Sequence, residues 1–259
     1  MLKSNKNVFA KKKYGQNFLQ DPNIIKKIVS TIDAQGKDVI EIGPGRGAIT
    51  KFIEPIANSF VGYEIDKDMI DVLTTQKILK PEQLIAGNFL EYDLSNYKNT
   101  IVIGNIPYYI TSDIIFKLLD NYQNFTKAVL MVQYEVAQRL IAKKNSPNYS
   151  KLSVTVQYLS NVELNFIVPR NCFKPTPNVE SAIVTLTFNK QAEDNFSKIK
   201  DFFKLCFLAR RKKLTYALLT QYPNEKIIDA YEKLNFDSNI RVQQLDLEQI
   251  VELYRLLEK

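Results

Sequence analysis

Short apolar runs alternate with helically spaced segments in the first half of the chain, and this order constrains the fold more than any other feature. Each run has the length of one buried strand, and in the segments between them apolar residues recur every three or four positions. The strand-like runs cover residues 39–42, 60–65, 83–86, 101–104 and 128–132, and helical spacing marks residues 48–57, 114–119 and 135–141. The alternation predicts an α/β fold with a parallel sheet between two layers of helices.

The segments on either side of this region follow different patterns. Asp21 and Pro22 predict an N-cap and the first position of a helix. Further along the chain, the strand-like runs 152–159, 162–168 and 181–188 have no crossover helix between them. These runs predict an antiparallel edge on the sheet.

Helical periodicity replaces the strand signal in the last part of the chain. It marks residues 196–208, 214–220, 227–234 and 247–257, and the polar stretch 189–195 precedes it as a linker. We therefore expect a main domain over residues 1–189 and a small helical domain over residues 190–259.

The absence of histidine limits the chemistry available to this chain. Serine–histidine and cysteine–histidine catalysis are excluded, and the commonest ligand of transition metals is missing. Cys172 and Cys206 lie far apart in the sequence, which predicts neither a disulfide nor a zinc site. No apolar run reaches the roughly 18 residues of a membrane span. We expect a monomeric, cytoplasmic protein without a metal, whose reaction needs little proton transfer.

Positive charge is concentrated at one end of the chain, which carries a net charge of +7. The first 27 residues hold one aspartate and seven lysines: Lys3, Lys6, Lys11, Lys12, Lys13, Lys26 and Lys27. A second cluster consists of Arg210, Arg211, Lys212 and Lys213. Such clusters favour contacts with nucleic acid phosphates, and merely solvated basic segments are the alternative. The candidate RNA contacts are Lys11, Lys12, Lys13 and the cluster 210–213.

A glycine-rich loop follows the first strand-like run. Gly43, Gly45 and Gly47 form a GxGxG pattern, in which backbone without side chains can approach a ligand at the carboxyl end of a strand. This spacing is typical of S-adenosylmethionine sites, whereas dinucleotide sites prefer GxGxxG. A tight turn without a ligand is the alternative.

Glu64 ends the second strand-like run and can accept hydrogen bonds from both ribose hydroxyls of a nucleoside cofactor. Asp66 is the other carboxylate in this position, and it can instead cap the helix that follows. We assign the ribose to Glu64.

The tetrapeptide Asn105-Ile106-Pro107-Tyr108 directly follows the strand-like run 101–104. The asparagine oxygen and the carbonyl of Ile106 or Pro107 can both accept hydrogen bonds from a planar NH2 group. Tyr108 can stack on the heterocycle that carries this group. Methyl transfer to such an amine needs orientation more than a strong base. A turn before a helix is the alternative.

Five segments together resemble the ribosomal RNA adenine dimethyltransferases, the family of the bacterial kasugamycin-sensitivity enzyme. They are residues 13–19 (KYGQNFL), 41–45 (EIGPG), 104–108 (GNIPY), 168–181 (VPRNCFKPTPNVES) and 207–214 (FLARRKKL). The resemblance implies the class I methyltransferase fold, S-adenosylmethionine as cofactor and an RNA substrate. It also implies dimethylation of adjacent adenosines at N6, in the 3′-terminal hairpin of small-subunit ribosomal RNA within the immature subunit.

The resemblance also implies roles for individual residues. Cofactor contacts fall on Asn17, Leu19, Gly43, Gly45, Glu64, Asn88 and Asn105. Asn88 stands where the family usually has aspartate, and its amide oxygen can still accept a hydrogen bond from the cofactor adenine; an ordinary turn residue is the alternative. Base contacts fall on Asn105, Pro107, Tyr108 and Phe173. The target adenine would be held between the rings of Tyr108 and Phe173.

Three other functions are compatible with parts of this pattern. The antibiotic-resistance branch of similar enzymes dimethylates large-subunit RNA, but residues 14–19 and 210–214 favour the small-subunit branch. Methyltransferases of DNA adenine or protein glutamine usually have two consecutive prolines, where this chain has Ile106 and Pro107. A catalytically idle RNA-binding factor is the third alternative, and the intact motifs at 43–45 and 105–108 argue against it.

Overall fold

A computed structural model of the chain describes residues 10–11 and 14–258. It contains two compact units. The first comprises the described residues up to Ala137 together with Glu163–Phe188, and the second comprises Gln138–Val162 and the described residues from Asn189 onward.

A seven-stranded sheet forms the centre of the first unit. The strands of the described residues are β1 (Phe18–Leu19), β2 (Asp38–Ile42), β3 (Ser59–Glu64), β4 (Leu84–Ala86), β5 (Thr100–Asn105), β6 (Phe125–Gln133), β7 (Asn161–Val168), β8 (Phe173–Lys174) and β9 (Ser181–Thr187). Their order in the sheet is β4-β3-β2-β5-β6-β9-β7, and β1 pairs with β8 separately. The five strands from β2 to β6 are parallel and β9 is antiparallel to β6, which confirms the predicted α/β sheet with an antiparallel edge.

The helices accompany and follow these strands. They are α1 (Pro22–Ile32), α2 (Thr50–Ile53), α3 (Lys67–Thr75), α4 (Thr111–Asp120), α5 (Tyr134–Leu140), α6 (Lys151–Leu159), α7 (Phe196–Cys206), α8 (Leu214–Leu218), α9 (Asn224–Leu234) and α10 (Leu247–Glu258). Asp21 caps α1, because its side chain accepts hydrogen bonds from the backbone N–H groups of Asn23 and Ile24. The predicted N-cap is therefore confirmed.

Both faces of the parallel sheet are buried. Val39 and Ile40 point to opposite faces of β2, and each is at most 1% exposed. On one face, Ile28 and Ile32 of α1 pack in one core cluster with Val39. Apolar residues at successive positions of β2 therefore contribute to the core from both sides, as expected for a parallel strand.

The second unit has a core of its own. Phe203 of α7, Leu218 of α8, Ile227 of α9 and Leu253 of α10 are buried in one cluster, and Val154 of α6 belongs to it as well. Among the described residues of either unit, no helix combines the length and apolar character needed to cross a membrane.

The strand predicted at residues 152–159 is wrong, because this segment is helix α6. Leu152, Val154 and Val156 are buried, but so are the intervening Ser153 and Thr155. A helix buried on nearly all sides shows a continuous apolar run, which periodicity alone does not distinguish from a strand. Burial overrides the β-branched residues here, whose intrinsic preference is for strands.

This helix also changes the division of the chain. The sequence predicts one domain over residues 1–189, whereas the structure groups Gln138–Val162 with the carboxyl-terminal residues. The reason is that α6 packs against α7 and α10. The second unit resumes at Asn189, at the start of the predicted linker.

We predict that Gly47→Ala lowers the free energy of unfolding by about 2–4 kcal/mol. Gly47 has a φ of +72°, and a Cβ there would lie 2.9 Å from Ile78 Cγ2. Gly36 is the matched control, since its φ is +66° and a Cβ would meet no described atom within 4 Å. Gly36→Ala should cost only about 1 kcal/mol in urea denaturation. Equal losses in both variants would show that the contact with Ile78 carries no energy.

Candidate active site

The cavity of the first unit lies where the strand order changes direction. The chain runs outward from β2 through β3 to β4, then returns to the other side of β2 with β5. Ligands of open α/β sheets bind outside the carboxyl ends of the strands at such a point. A cavity of about 230 Å³ occupies this place, lined by the loops after β2, β3, β4 and β5 and by residues 14–19.

The glycine loop after β2 forms one wall of this cavity. Gly43 has a φ of +68°, and a Cβ there would meet no atom of the described residues within 4 Å. Its N–H donates to the carbonyl of Tyr63 at the end of β3. The loop is thus held to the sheet by backbone hydrogen bonds while Gly43 leaves open space on the cavity side. This is the room that a bound ligand requires.

Glu64 is 4% exposed, and both of its carboxylate oxygens accept backbone hydrogen bonds. Oε2 accepts from the N–H of Gly45 at 2.9 Å, and Oε1 accepts from the N–H of Asp66 at 2.8 Å. A carboxylate oxygen can accept more than one hydrogen bond, and the binding of ribose hydroxyls by Glu64 stays a prediction. Burial raises the pKa of Glu64. Asp66 caps α3, as the alternative for this residue predicted.

Glu41 is a second buried carboxylate beside the glycine loop. It lines the cavity and accepts a hydrogen bond from Thr50 Oγ1 at 2.6 Å. Burial raises the pKa of Glu41 to about 7, and the neighbouring charge of Glu64 adds to the increase. Two carboxylates therefore give this end of the cavity a negative potential when they are ionised.

Residues 14–19, which we call the amino-terminal segment, reach the loop that follows β5. The Nδ2 group of Asn105 donates to the carbonyl of Asn17 at 3.0 Å. The Nδ2 group of Asn17 donates to the carbonyl of Gly15. Leu19 is buried and pairs with Phe173 in the β1–β8 ladder. Asn17, Leu19 and Asn105 all line the cavity, which brings these three predicted residues together.

Asp66 ties this segment to α3. Its carboxylate accepts hydrogen bonds from Gln16 Nε2 and Lys11 Nζ, and Lys11 also forms an ion pair with Asp68. Burial opposes ionisation of Asp66, but these hydrogen bonds hold its pKa below the usual range. The ammonium group of Lys11 is therefore engaged with two carboxylates of the first unit, which its charge alone did not indicate. Its contact with RNA stays a prediction. Lys12 and Lys13, as well as Lys3 and Lys6, lie outside the described residues.

Tyr108 lines the cavity next to Asn105, and its ring is held by a buried serine. The hydroxyl groups of Tyr108 and Ser181 are 2.8 Å apart. The carbonyl of Pro107 accepts hydrogen bonds from Ile110 N–H and Thr111 Oγ1, each at 3.2 Å. The single hydroxyl proton of Thr111 is shared with the carbonyl of Tyr108, which lies 3.3 Å from Oγ1. The Pro107 carbonyl is thus engaged within the turn.

Of the two remaining predicted contact residues, Asn88 lines the cavity and Phe173 does not. Asn88 lines the cavity and also caps a turn, since its Oδ1 accepts from Leu90 N–H and its Nδ2 donates to Glu91. Phe173 is 4% exposed and belongs to the core cluster. It does not occur among the described residues that line the cavity. The roles of both residues stay predictions.

The basic cluster 210–213 lies in the second unit, in the turn between α7 and α8. Arg211, Lys212 and Lys213 are exposed. Arg210 is half-buried and donates from Nη2 to the carbonyl of Ser146 at 2.9 Å. Three of the four charges are thus accessible to a ligand.

Three residues of this site are not apparent from sequence reasoning about function. Glu41 stands inside the glycine motif, but the sequence does not show that it is buried and accepts a hydrogen bond from Thr50. Gln16 belongs to a segment of the family resemblance, and Ser181 ends another. Gln16 bonds to Asp66, which lies 50 residues away along the chain, and Ser181 bonds to Tyr108, which lies 73 residues away. Only the fold brings these side chains together.

Comparison with known proteins decides the family. The sequence model described as "Ribosomal RNA adenine dimethylase" matches residues 7–259. The chain is 46% identical over 251 residues to the Ribosomal RNA small subunit methyltransferase A of Mycoplasmopsis synoviae, which covers 96% of this chain and 97% of that protein. The chain belongs to the ribosomal RNA adenine dimethylase family.

Solved structures place this dimethylase chain with other RNA methyltransferases. The dimethyladenosine transferase from Plasmodium falciparum has a TM-score of 0.81 and 28% identity, covering 91% of this chain and 95% of that one. The 23S rRNA methyltransferase ErmE has a TM-score of 0.70 and 26% identity, covering 94% of this chain and 100% of its own. The predicted family, class I methyltransferase fold, enzyme class and S-adenosylmethionine cofactor are confirmed. Among the described residues, no cluster of acidic or cysteine side chains could hold a metal ion.

We predict that Glu64→Ala weakens S-adenosylmethionine binding to the dimethylase by about 1–3 kcal/mol, because charge-assisted hydrogen bonds to the ribose are lost. Titration calorimetry measures this difference. Glu82→Ala, at an exposed site outside the cavity lining, is the control and should bind as the wild type does. Unchanged affinity in Glu64→Ala would remove this residue from the cofactor site.

The raised pKa of Glu41 predicts a pH-dependent stability. Between its ordinary value of 4.5 and about 7, the folded state keeps a proton that the unfolded state has lost. The contribution of this group to the free energy of unfolding therefore falls as pH rises through this range. Relative to wild type, Glu41→Gln should be more stable at pH 8 by about 1–3 kcal/mol and gain little at pH 5. Urea denaturation of the cofactor-free protein tests this, and an equal gain at both pH values would contradict it.

Proposed function

We propose that this protein transfers methyl groups from S-adenosylmethionine to the N6 amines of adjacent adenosines in small-subunit ribosomal RNA. Each target adenine receives two methyl groups, and the targets lie in the 3′-terminal hairpin of the immature subunit. The protein acts as a monomer in the cytoplasm. Both the family and the named relative, a small-subunit methyltransferase, support this substrate.

The orientation of the Asn105 amide is the observation that carries this proposal. Its Nδ2 group donates to the carbonyl of Asn17. This leaves Oδ1 as the amide atom that can accept a hydrogen bond from the target amine. A second acceptor is needed to hold a planar NH2 group. Because the Pro107 carbonyl is engaged within the turn by Ile110 and Thr111, we assign this role to the carbonyl of Ile106 and give Pro107 the role of shaping the turn.

The aromatic side chains complete the base site. Tyr108 stacks on the extruded adenine, and its hydrogen bond with Ser181 fixes the plane of the ring. We also propose that Phe173 contacts the opposite face of the base. Because Phe173 is buried, this contact requires the β1–β8 pair to shift when RNA binds.

The cofactor site matches the charge of the methyl donor. S-adenosylmethionine carries a sulfonium and an ammonium group against one carboxylate, a net charge of +1, and the cavity presents Glu41 and Glu64. Positive charge nearby favours the ionised forms of both carboxylates. Asn17, Leu19, Gly43 and Gly45 would surround the cofactor, Glu64 would bind the ribose, and Asn88 would accept from the adenine amine.

The reaction needs no strong base. The N6 lone pair attacks the methyl carbon, the bond between this carbon and sulfur breaks, and the sulfur keeps the electron pair. Bound S-adenosylmethionine would supply the methyl group and leave as a neutral thioether, and the methylated nitrogen would release one proton to water. Asn105 holds the amine so that its lone pair points at the methyl group, and orientation of this kind lowers the barrier without proton transfer by histidine.

Dimethylation of large-subunit RNA is the second candidate, because ErmE is also similar in structure. The TM-score is higher for the dimethyladenosine transferase than for ErmE, at 0.81 against 0.70. The small-subunit name of the 46% identical relative favours the same choice.

We predict that cells lacking the gene lose N6,N6-dimethyladenosine from small-subunit RNA and that Asn105→Ala does not restore it, because the variant loses its hold on the amine. Mass spectrometry of digested RNA measures the modification. Asn58→Ala is the matched control and should restore it fully. Asn58 is exposed and lies directly before β3, at the end of the strand opposite to the cavity. Loss of dimethyladenosine from large-subunit RNA alone would identify the resistance activity. No change in either RNA would identify a catalytically idle binding factor.

A further inference from the structure

An open groove in the second unit exposes two large apolar side chains. Leu208 is 65% exposed and Tyr216 is 60% exposed, and both line this groove together with Lys212 and Thr220. Leu208 lies in the turn after α7, and Tyr216 lies on α8. Exposed apolar side chains that gather in one place indicate a binding surface more often than isolated ones do.

The fold determines that Tyr216 points outward. Leu214, Ala217 and Leu218 occupy the buried face of α8, and all three pack in the core of the second unit. Tyr216 therefore falls on the opposite face of the same short helix. The core does not need this ring, since burial of α8 is achieved by its neighbours in the sequence.

The charge around the groove has one sign. Between Asp201 and Glu225 the chain has no acidic residue and five basic ones: Lys204, Arg210, Arg211, Lys212 and Lys213. Arg210 is engaged with the carbonyl of Ser146, whereas Arg211, Lys212 and Lys213 are exposed, and Lys212 lines the groove. A surface that combines an exposed aromatic ring with accessible cations matches a nucleic acid, which offers bases for stacking and phosphates for ion pairs.

We propose that this groove binds an unpaired nucleobase of the small-subunit RNA, stacked on Tyr216 and against Leu208, with adjacent phosphates held by Arg211 and Lys212. The proposal rests on the proposed function, because it assumes that RNA is the substrate. It assigns to the second unit a contact with a base in addition to contacts with phosphates. None of the six described lining residues is acidic, so the groove offers no carboxylate that would repel RNA phosphates.

The first test uses fluorescence. The chain contains no tryptophan, so Tyr216→Trp introduces a single tryptophan at the proposed stacking position. Protein-free, unmethylated small-subunit RNA should quench its fluorescence. Ile228→Trp is the matched control, at a site of 48% exposure on α9 in the same unit, and should not respond. An equal response of both variants would overturn the proposal.

The second test separates stacking from charge. Tyr216→Ala should raise KM for unmethylated small subunits about 5- to 100-fold, from the usual value of one stacked base, with kcat and S-adenosylmethionine affinity unchanged. Tyr216→Phe should retain the wild-type KM, because a phenyl ring also stacks. Arg211→Ala should reduce the dependence of RNA affinity on salt, whereas Tyr216→Ala should leave this dependence unchanged.

Two results would overturn the inference. The first is an unchanged KM in Tyr216→Ala. The second is weaker binding to whole subunits with unchanged binding to protein-free RNA, which would identify a ribosomal protein as the partner. The wild-type protein in the same assay reports dimethyladenosine formation, so failure of the proposed function is measured separately from failure of this contact.

Discussion

The hydrogen bonds of two carboxylates hold the cavity of the first unit together. Glu64 accepts from Gly45 and from Asp66, which joins the glycine loop to the end of β3. Asp66 in turn accepts from Gln16 of the amino-terminal segment, whose Asn17 carbonyl accepts from Asn105. The proposed cofactor and amine sites are therefore connected through residues 16 and 17. A change on either side of this connection should alter the orientation of the other.

Such a framework explains how this chain can catalyse methyl transfer without histidine. The groups proposed to hold the amine are an amide and a carbonyl, which do not titrate near neutral pH. Burial raises the pKa values of Glu41 and Glu64, and both carboxyl groups lie beside the site proposed for the positively charged cofactor. Catalysis then depends on the positions of uncharged acceptors, and ionisation mainly affects stability and cofactor binding.

Errors of the sequence-based interpretation have identifiable physical causes. The run at 152–159 was expected to be a strand, but α6 is buried nearly all round, and its periodicity carries no information about the element. The contact of Lys11 with RNA stays a prediction, and the structure adds that its ammonium group is paired with Asp66 and Asp68. Composition counts charges, but only the folded chain determines which charges are already paired.

The sequence by itself determined the sheet, the glycine loop and the Asn105–Tyr108 turn. These features depend on residues close together in the chain, where hydrophobic periodicity and glycine geometry act locally. Tertiary structure decided which amide atom of Asn105 can accept a hydrogen bond from the amine, which hydroxyl forms a hydrogen bond with Tyr108, and where Tyr216 points. Each of these depends on a partner or a packed neighbour that is distant along the chain, because side-chain orientation follows from contacts that exist only after the sheet and helices have packed.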